Sequence, residues 1–510
     1  MFKKKIKLSP IMTFIILTFA TILLSGFLHL LNVQAEYATV SKVTGDLVNN
    51  VVEVKNLFSI SGIKHIISTA VSGFVNFDPL STLIIVLIGI GVLEKSGFMK
   101  SFFTLLTRNS KKNTITFILV FMCLLFSLLG NIGYAIMLPI GALLFKYGRR
   151  NPLGGIVASF ASLSFGTGIN LFLSANDSSL LSITLSAAKT IDSNYKIGIF
   201  FFLYIMIFAL ILVSLVFTQL TEKKIMPKLP RYEALEEEEI KITNKELRGL
   251  IIGLGAGIVY LLIIVYMIIP GLPLSGGLLD SSATRYIDML FGANSLFNKG
   301  FIFIATLFFV IIGLGYGFMT KSIRNNKDIA ESLGYSLDGI GSIIVLIFFA
   351  SLFINVFEES KIGEVITAFI SNIIGGLGFN GIGLILAVIL FVAIANLFCP
   401  GSQTKWLILS GSIVPLLMNA SISPEFSQVI YTAADSITNG LTPLFAYFVI
   451  YIAFMEKYNK GEMVTLFGSI KYMVPYSTFI TIIWVGVIVG WYLLGVPIGI
   501  GSMPGVVYGA

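Results

Sequence analysis

The sequence predicts an all-α polytopic membrane protein with nine transmembrane helices, two re-entrant helical hairpins and an inverted structural repeat. Composition points to a membrane, because 56% of the 510 residues are hydrophobic, only 12% are charged and the mean hydropathy is +0.93. Soluble domains carry about 25% charged residues. The repeat is indicated by two apolar stretches, each broken at mid-length by a polar, glycine-rich turn.

The internal repeat relates residues 114–188 to residues 378–454. Each copy has a hairpin followed by a broken helix: hairpin 114–148 with broken helix 152–188, and hairpin 378–422 with broken helix 424–454. The hairpins turn at 130–133 and 396–404, and the helices break at 166–170 and 438–443. A shift of 272 residues aligns Pro152 with Pro424, Gly168 with Gly440, and Asn131 with Gln403. Paired broken helices indicate the midplane binding site of a secondary transporter.

Hydropathy divides the chain into four parts. Plain spanning segments lie near 11–32, 80–98, 197–220, 249–270, 301–320, 337–357 and 474–496. The predicted parts are 1–79, the first transmembrane helix and an external segment; 80–220, the first inverted repeat; 221–336, a cytoplasmic loop and two linking helices; and 337–510, the second inverted repeat. The segment 11–32 is longer than the ~7–15 apolar residues of a signal peptide, so we expect a retained helix.

Loop charge sets the orientation. With a cytoplasmic N-terminus, 25 of the 34 Lys and Arg residues fall in cytoplasmic loops, as the positive-inside rule requires. The C-terminus is then external, and the two repeats enter the membrane from opposite sides. Loop charge leaves it open whether the hairpins are re-entrant or cross the membrane twice.

Several function classes have no support in the sequence. The basic residues collect in short loops between spans, so nucleic acid is not an expected partner. There is no phosphate-binding GxxxxGK[ST] loop, no HExxH zinc motif and no nucleophile elbow. Cys123 and Cys399 lie in hydrophobic runs and do not form a disulfide framework, and His29 and His65 lie outside the repeats.

Two acids are the candidates for ion or proton coupling. Asp177 follows the first break, and Asp435 precedes the second break on the same helix face as Asn439. Ionisable groups inside membrane segments are costly, so each is a functional candidate. The alternative is that each carboxylate only caps a half-helix. Free carbonyls at Gly168 and Gly440 could also coordinate a cation, and a sodium ion is expected near Asn131, Gly168 and Asn439.

The hairpin tips supply the candidate substrate-binding residues. Asn131 and Gln403 occupy equivalent tip positions, Asn170 lies at the first break and Asn396 begins the second tip. Helix N-termini at the tips could direct N–H groups to an anionic substrate. Lys405 could bind a substrate carboxylate, pair with Asp435, or extend to the interface. Trp406 could stack on an aromatic substrate or belong to an interfacial aromatic belt.

Long ordered motifs resemble a known family. They are Asn396-Leu-Phe with Trp406, Val414-Pro-Leu-Leu-Met418, Ile422-Ser-Pro-Glu425, the run Asp435 to Pro443, Asn170-Leu-Phe-Leu-Ser with Asp177, and Val474-Pro-Tyr476. Together they resemble the aminobenzoyl-glutamate transporter (AbgT) family of the ion transporter superfamily, over nearly the whole chain. The resemblance implies a homodimer with nine helices and two hairpins per subunit. It also implies ion-driven transport of p-aminobenzoyl-glutamate, or export of p-aminobenzoate-like compounds and sulfonamide antimetabolites.

The resemblance also carries functional residues onto Asp177, Trp406, Pro424, Asp435 and Pro443. Two positions depart from the family pattern. Gln403 stands where members usually have serine, and Thr432 where they usually have arginine. Arginine suits bidentate carboxylate recognition, so its replacement bears on the substrate. Lys405 is the candidate to replace it as the cationic partner of Asp435.

The leading interpretation is an ion-gradient-driven secondary transporter of p-aminobenzoyl-glutamate or related compounds in the bacterial cytoplasmic membrane. Its expected partners are a small-molecule substrate, the bilayer and a second subunit, and no cofactor is expected besides the coupling ion, H+ or Na+. The alternative on the same architecture is a sodium-coupled transporter of dicarboxylates, amino acids or short peptides. An intramembrane enzyme would need a clustered acid–base or metal set that the sequence does not show, and a passive channel would not respond to an ion gradient.

Overall fold

The computed structural model describes residues 7–41, 45–232, 242–292, 294–459 and 463–505. Within them, nine helical segments are long and apolar enough to cross a membrane, which confirms the polytopic helical class. They are Pro10–Leu30, Ile60–Lys95, Lys112–Leu129, Leu203–Lys228, Asn244–Met267, Leu296–Thr320, Gly341–Glu359, Gly381–Phe398 and Leu466–Leu494.

These nine segments are not the same nine that were predicted to cross the membrane. It includes the first limbs of both predicted hairpins, at Lys112–Leu129 and Gly381–Phe398, and it lacks the two broken helices because their halves are short. The re-entrant course of the hairpins, the inverted repeat and the four-part division of the chain stay predictions.

Twenty α-helices run along the described residues. The first ten are α1 Pro10–Leu30, α2 Ile60–Val75, α3 Asp78–Lys95, α4 Phe98–Thr107, α5 Lys112–Phe126, α6 Ile132–Tyr147, α7 Pro152–Phe165, α8 Ala175–Lys189, α9 Leu203–Leu220 and α10 Asn244–Met267. The others are α11 Tyr286–Phe291, α12 Leu296–Thr320, α13 Asn326–Gly334, α14 Gly341–Glu359, α15 Ile362–Gly375, α16 Gly381–Phe398, α17 Ser402–Asn419, α18 Pro424–Ser436, α19 Phe448–Tyr458 and α20 Leu466–Leu494. Short 3₁₀ turns lie at 127–129, 226–228, 335–337 and 439–441, and a π turn at 221–225.

The external segment departs from the all-α expectation. Strands β1 (Gln34–Val40) and β2 (Leu47–Glu53) form an antiparallel hairpin that packs on α15 and α17. A Cβ on Gly411 in α17 would lie 2.2 Å from the carbonyl oxygen of Ala38, so glycine is needed for this contact. The apolar side chains of these short strands alternate too weakly to predict a sheet beside strong membrane spans.

The two broken helices begin in the same way. Pro152 opens α7 after the N-cap Asn151, and Pro424 opens α18 after the N-cap Ser423; both caps accept a backbone N–H. Proline at the first helical position loses no helical hydrogen bond and presets φ. The helices then stop at Phe165 and Ser436. The breaks are wider than predicted, because α8 starts only at Ala175 and α19 only at Phe448.

The broken helices form the centre of the molecule. Every residue of α7 and α18 is buried. Helix α6 approaches α7 at glycines, since a Cβ on Gly155 would lie 2.0 Å from the Gly141 carbonyl oxygen. Phe160 of α7 stacks on Tyr451 of α19 with ring centroids 4.4 Å apart. The breaks also meet directly, because Asn439 Nδ2 donates to the carbonyl oxygen of Ser164 at 3.4 Å and to Thr167 Oγ1 at 3.5 Å.

A buried ion pair joins the elements at one end of this centre. Arg150, between α6 and α7, pairs with Glu222 in the π turn after α9, and also donates to Thr116 Oγ1 of α5 at 2.8 Å. Its guanidinium lies 4.1 Å from the ring centroid of Phe145. The positive-inside rule predicts that this end of the molecule is cytoplasmic.

Candidate functional site

The second break is organised around a fully buried ion pair. Lys405, in the first turn of α17, is 0% exposed and its ammonium pairs with Asp435 Oδ1 in the last turn of α18. The same ammonium donates to Asn396 Oδ1 and, at 3.0 Å, to the carbonyl oxygen of Cys399. Ser402 Oγ donates to Asp435 Oδ2 at 2.8 Å. The ammonium is thus surrounded by three protein oxygens and does not extend to the interface.

Asn396 connects this ion pair to the break itself. Its Nδ2 lies 2.7 Å from the Asp435 carbonyl oxygen, 3.0 Å from Thr438 Oγ1 and 2.9 Å from Asn439 Oδ1. The last carbonyls of a helix have no partner inside the helix, and one buried amide here supplies it. Asn396 is therefore a structural bridge between α16, Lys405 and the end of α18.

The first break holds its acid without a cation. Asp177 is the third residue of α8, and its Oδ2 accepts from Asn170 Nδ2 at 2.7 Å, Ser174 Oγ at 2.7 Å and Ser174 N at 3.1 Å. Ser174 Oγ accepts in return from Asp177 N, which completes a capping box. Within the described part of the chain, all the hydrogen-bond partners of this carboxylate are neutral. The capping alternative is thus realised in the geometry of Asp177.

A small cavity lies beside Asp177. Its volume is about 10 Å³, close to the space that one water molecule needs. Its lining residues are Gly168, Asp177, Phe201, Phe202, Met206, Gln428, Val429 and Thr432. Gln428 is 3% exposed, and its Oε1 has no hydrogen-bond partner among the described residues. The cavity therefore brings Asp177 and Gln428, from two different broken helices, to one small space.

Thr432 lines the cavity beside Asp177, and its hydrogen bond is not with the Lys405–Asp435 pair. Its Oγ1 donates to the Gln428 carbonyl oxygen at 2.9 Å, one turn back on α18. A Cβ on Gly168 would lie 2.0 Å from Thr432 Cγ2, and Gly168 has φ +86°. Both the contact and the backbone conformation require glycine in the first break.

Trp406 lies in the protein interior and not in an interfacial belt. It is fully buried, stacks on Tyr431 with ring centroids 4.2 Å apart, and donates from Nε1 to Thr184 Oγ1 of α8 at 2.9 Å. Tyr431 donates in turn to the carbonyl oxygen of Ser402. The indole thus fixes the second hairpin against α8 and α18, with one of its faces covered by Tyr431.

The two tip residues lie in different surroundings. Gln403 Nε2 is 3.4 Å from Asn176 Oδ1 at the start of α8. Asn131 is exposed and donates to Asp78 Oδ2 at 3.2 Å, in a third cluster where Tyr447 donates to the same oxygen. The sodium site near Asn131, Gly168 and Asn439 stays a prediction. Gly168 contacts Thr432, and Asn439 contacts Asn396 and Thr167, the residue before Gly168.

The remaining predicted residues shape the second break. Pro424 starts α18, and Pro443 lies between the 3₁₀ turn Asn439–Leu441 and α19. A Cβ on Gly440 would lie 2.7 Å from the ring of Phe165, where the two breaks meet. These positions fix the backbone on which Asp435 and Asn439 sit.

The residues of these clusters that were not predicted include Gln428, Tyr431, Asp78 and Tyr447. Gln428 precedes Thr432 by four residues and Asp435 by seven, so helical periodicity places all three on one face of α18. That periodicity is the signal that could have identified Gln428. Asp78 and Tyr447 are far apart in the sequence, and only the fold brings them together.

Comparison with known proteins settles the family. The sequence pattern of the AbgT transporter family matches residues 6–506. The chain belongs to the AbgT family. This AbgT-family chain is 26% identical to the p-aminobenzoyl-glutamate transport protein of Escherichia coli (strain K12) over 454 residues. The aligned region covers 89% of this chain and 87% of that protein.

Two solved structures of other transporters are also similar. MtrF of Neisseria gonorrhoeae, described as illuminating a class of antimetabolite efflux pumps, is 29% identical, with a TM-score of 0.50 and coverage of 98% of each chain. The YdaH transporter of Alcanivorax borkumensis is 25% identical, with a TM-score of 0.49, and covers 96% of this chain and 100% of its own. The family resemblance is confirmed, and the protein is a multi-span membrane transporter of a bacterial family for a small-molecule substrate.

Proposed function

We propose that this AbgT-family protein is an ion-gradient-driven secondary transporter of p-aminobenzoyl-glutamate, or of related p-aminobenzoate and sulfonamide-like compounds, across the bacterial cytoplasmic membrane. The observation that carries the proposal is the pair of buried carboxylates at the two breaks, Asp177 and Asp435. Buried acids in membrane segments mark ion or proton pathways. The names of the E. coli and gonococcal relatives supply the substrate class.

The breaks are suited to movement that is coupled to ion binding. Each one interrupts a helix whose first half is completely buried, and the two breaks touch through Asn439 and Thr167, which are 272 residues apart. That spacing is the shift that relates the predicted repeats. An inverted repeat gives two similar halves facing opposite sides, and exchanging their conformations provides alternating access.

The second tip is the best place for the substrate carboxylates. Helix α17 starts there, and its N-cap Gly401 provides no side-chain cap, so the first backbone N–H groups are left for a ligand. Gln403 and Asn176 add side-chain amides between α17 and α8. Lys405 donates to Asn396 and to the Cys399 carbonyl oxygen and pairs with Asp435, so we assign it to the positioning of Asp435 rather than to the substrate.

The topology and assembly proposed here follow the charge distribution and the family. The N-terminus is cytoplasmic and the C-terminus external, the hairpins are re-entrant, and the unit is a homodimer. The coupling ion is H+ or Na+, and no further cofactor or nucleic acid takes part.

A second candidate function keeps the architecture and changes the cargo. Thr432 and Gln403 replace the arginine and serine expected at these positions. A sodium-coupled transporter of dicarboxylates, amino acids or short peptides accommodates both changes, because these substrates lack the p-aminobenzoyl ring and present other carboxylate spacings.

The test is flux of labelled p-aminobenzoyl-glutamate and p-aminobenzoate in proteoliposomes, with proton and sodium gradients imposed separately. We expect flux that follows one gradient and disappears when an ionophore collapses it. Protein-free liposomes and Arg285→Ala protein, altered at an exposed loop ion pair, serve as controls. Absence of gradient-dependent flux from folded protein would reject this substrate class and direct the assay to dicarboxylates and amino acids. Flux that ignores both gradients would identify a passive channel.

A further inference from the structure

The two buried acids differ in what balances their charge. Asp435 has a resident cation, because the Lys405 ammonium contacts Asp435 Oδ1, Asn396 Oδ1 and the Cys399 carbonyl oxygen. Asp177 has hydrogen bonds from one amide, one hydroxyl and one backbone N–H. Hydrogen bonds stabilise a buried carboxylate but leave its net charge in place. The surroundings of Asp177 therefore favour binding of an external cation, whereas Asp435 already has the Lys405 ammonium as its cation.

Gln428 supplies an independent sign of a ligand. Gln428 is 3% exposed and lines the same cavity as Asp177, and its Oε1 has no hydrogen-bond partner among the described residues. An unpaired buried acceptor costs about 1–3 kcal/mol. The Nε2 of the same amide is 3.5 Å from the Asp177 carbonyl oxygen, which fixes the orientation of the side chain beside α8.

We propose that one monovalent cation of the sodium type binds in this cavity between Asp177 and Gln428, and that it is the coupling ion. The inference rests on the proposed ion-driven function and specifies its ion site. The cavity of about 10 Å³ admits one water-sized occupant. Its polar groups are oxygen donors, which suit hard cations.

The donor set also selects the charge of the ion. A single carboxylate balances one positive charge, and the described residues contain no group of three His, Cys, Asp or Glu side chains that could hold a metal ion. A divalent or transition metal is thereby disfavoured in comparison with Na+.

Binding at this position links the two repeats. Asp177 belongs to α8 of the first broken helix, and Gln428 belongs to α18 of the second. A cation bridging them holds α8 against α18, and its release frees the two helices from each other. Lys405 meanwhile keeps Asp435 neutralised throughout, as a cation tethered to the chain.

The test is binding of labelled Na+ to the purified full-length protein in detergent, measured by scintillation proximity. Wild-type protein should bind Na+ saturably, with Li+ but not choline competing. Gln428→Met keeps the side-chain length and removes the oxygen, and we expect at least tenfold weaker binding. Asp177→Asn should abolish saturable binding. Gln219→Met, the same chemical change at an exposed position of α9, should bind Na+ within threefold of wild type.

Variants of the Lys405–Asp435 pair test whether the cation binds at Asp177 or at Asp435. The double variant Asp435→Asn with Lys405→Met removes the whole ion pair, and we expect it to bind Na+ within threefold of wild type. Loss of Na+ binding in this double variant, with binding retained in Gln428→Met, would place the cation at Asp435 and overturn the proposal. Gel filtration and thermal melting establish that each variant is folded. If Asp177→Asn unfolds because its helix cap is weakened, Gln428→Met still decides, since Gln428 caps no helix.

The outcomes separate this inference from the proposed function. Proton-driven flux of p-aminobenzoyl-glutamate without any Na+ binding would refute the cation site and leave the transport function standing. Na+ binding with the expected variant pattern, but no flux of either compound, would support the site and refute the substrate class.

Discussion

The breaks after α7 and after α18 each hold one buried carboxylate at the centre of the molecule, yet they do so with different chemistry. At the second break, Asp435 is locked to Lys405, and Asn396 ties the pair to the backbone of the break. At the first break, Asp177 is held by neutral donors beside a cavity that Gln428 shares. A pattern of two acids at equivalent breaks does not imply two equivalent ion sites.

The two breaks of this repeated architecture are suited to different roles. A fixed ammonium costs desolvation but never leaves, so the second break keeps one charge state and one geometry. An acid with only neutral partners can exchange its cation with the two solutions as access alternates. We therefore assign rigidity to the second break and ion exchange to the first.

The largest effect should come from breaking the locked pair. Lys405→Met leaves Asp435 buried without a cation, which typically costs about 3–5 kcal/mol. We expect a large loss of thermal stability in detergent and loss of transport. Adding Asp435→Asn should restore much of the stability, because it removes the uncompensated charge. Equal melting temperatures for Lys405→Met and wild type would show that the pair does not stabilise the second break.

A smaller loss of stability is expected at the first break. Gly168→Ala places a Cβ 2.0 Å from Thr432 Cγ2 and forces alanine to φ +86°. The left-handed backbone alone costs about 1–2 kcal/mol, and the contact adds to it. Thermal melting should show partial recovery in Gly168→Ala with Thr432→Ser, which removes Cγ2 but not the backbone strain. Gly255→Ala in α10, where nothing lies within 4 Å of the added Cβ, is the comparison for a glycine change without a steric contact.

A third variant tests the contact between the tryptophan and the first half of the protein. Trp406→Phe keeps a ring on Tyr431 but loses the hydrogen bond from Nε1 to Thr184. One buried hydrogen bond contributes about 1 kcal/mol, so the melting temperature should fall modestly. Thr184→Val removes the same bond from the other side and should not add to the effect of Trp406→Phe. Additive losses would argue that the bond is not the shared cause.

The smallest effect on stability is expected at the second tip. Gln403→Ser removes a 3.4 Å contact with Asn176 at an exposed position, which changes stability by no more than about 0.5 kcal/mol. Flux assays should instead show a changed ratio of p-aminobenzoyl-glutamate to dicarboxylate transport, because the residue faces the proposed substrate. An unchanged ratio would remove Gln403 from the specificity-determining residues.

The sequence predicted the architecture more completely than the site. Composition and loop charge identify a polytopic helical protein, and Asp177, Asp435 and Lys405 stand out because charged residues are rare in apolar segments. Contacts between residues that are far apart in the sequence could not be predicted in this way. Asn131 and Gln403 are equivalent in sequence, but the fold sets one beside Asp78 and the other beside Asn176.

Packing detail was also beyond sequence patterns. The choice among the three positions for Lys405 depends on which oxygens surround its ammonium, and only the fold of the second tip supplies them. Thr432 stands out in the sequence as a departure from the family pattern, but only the fold shows that it contacts Gly168 of the first break. The β1–β2 hairpin was missed because its seven-residue strands carry a weak alternation.

The most direct test of the account compares gradient-driven flux in wild-type and Asp177→Asn proteoliposomes under an imposed sodium gradient. We predict that wild-type protein accumulates p-aminobenzoyl-glutamate beyond equilibrium. Folded Asp177→Asn protein should lose the part of the flux that depends on the sodium gradient. Sodium-driven flux of equal size in both proteins would contradict the assignment of ion exchange to the first break.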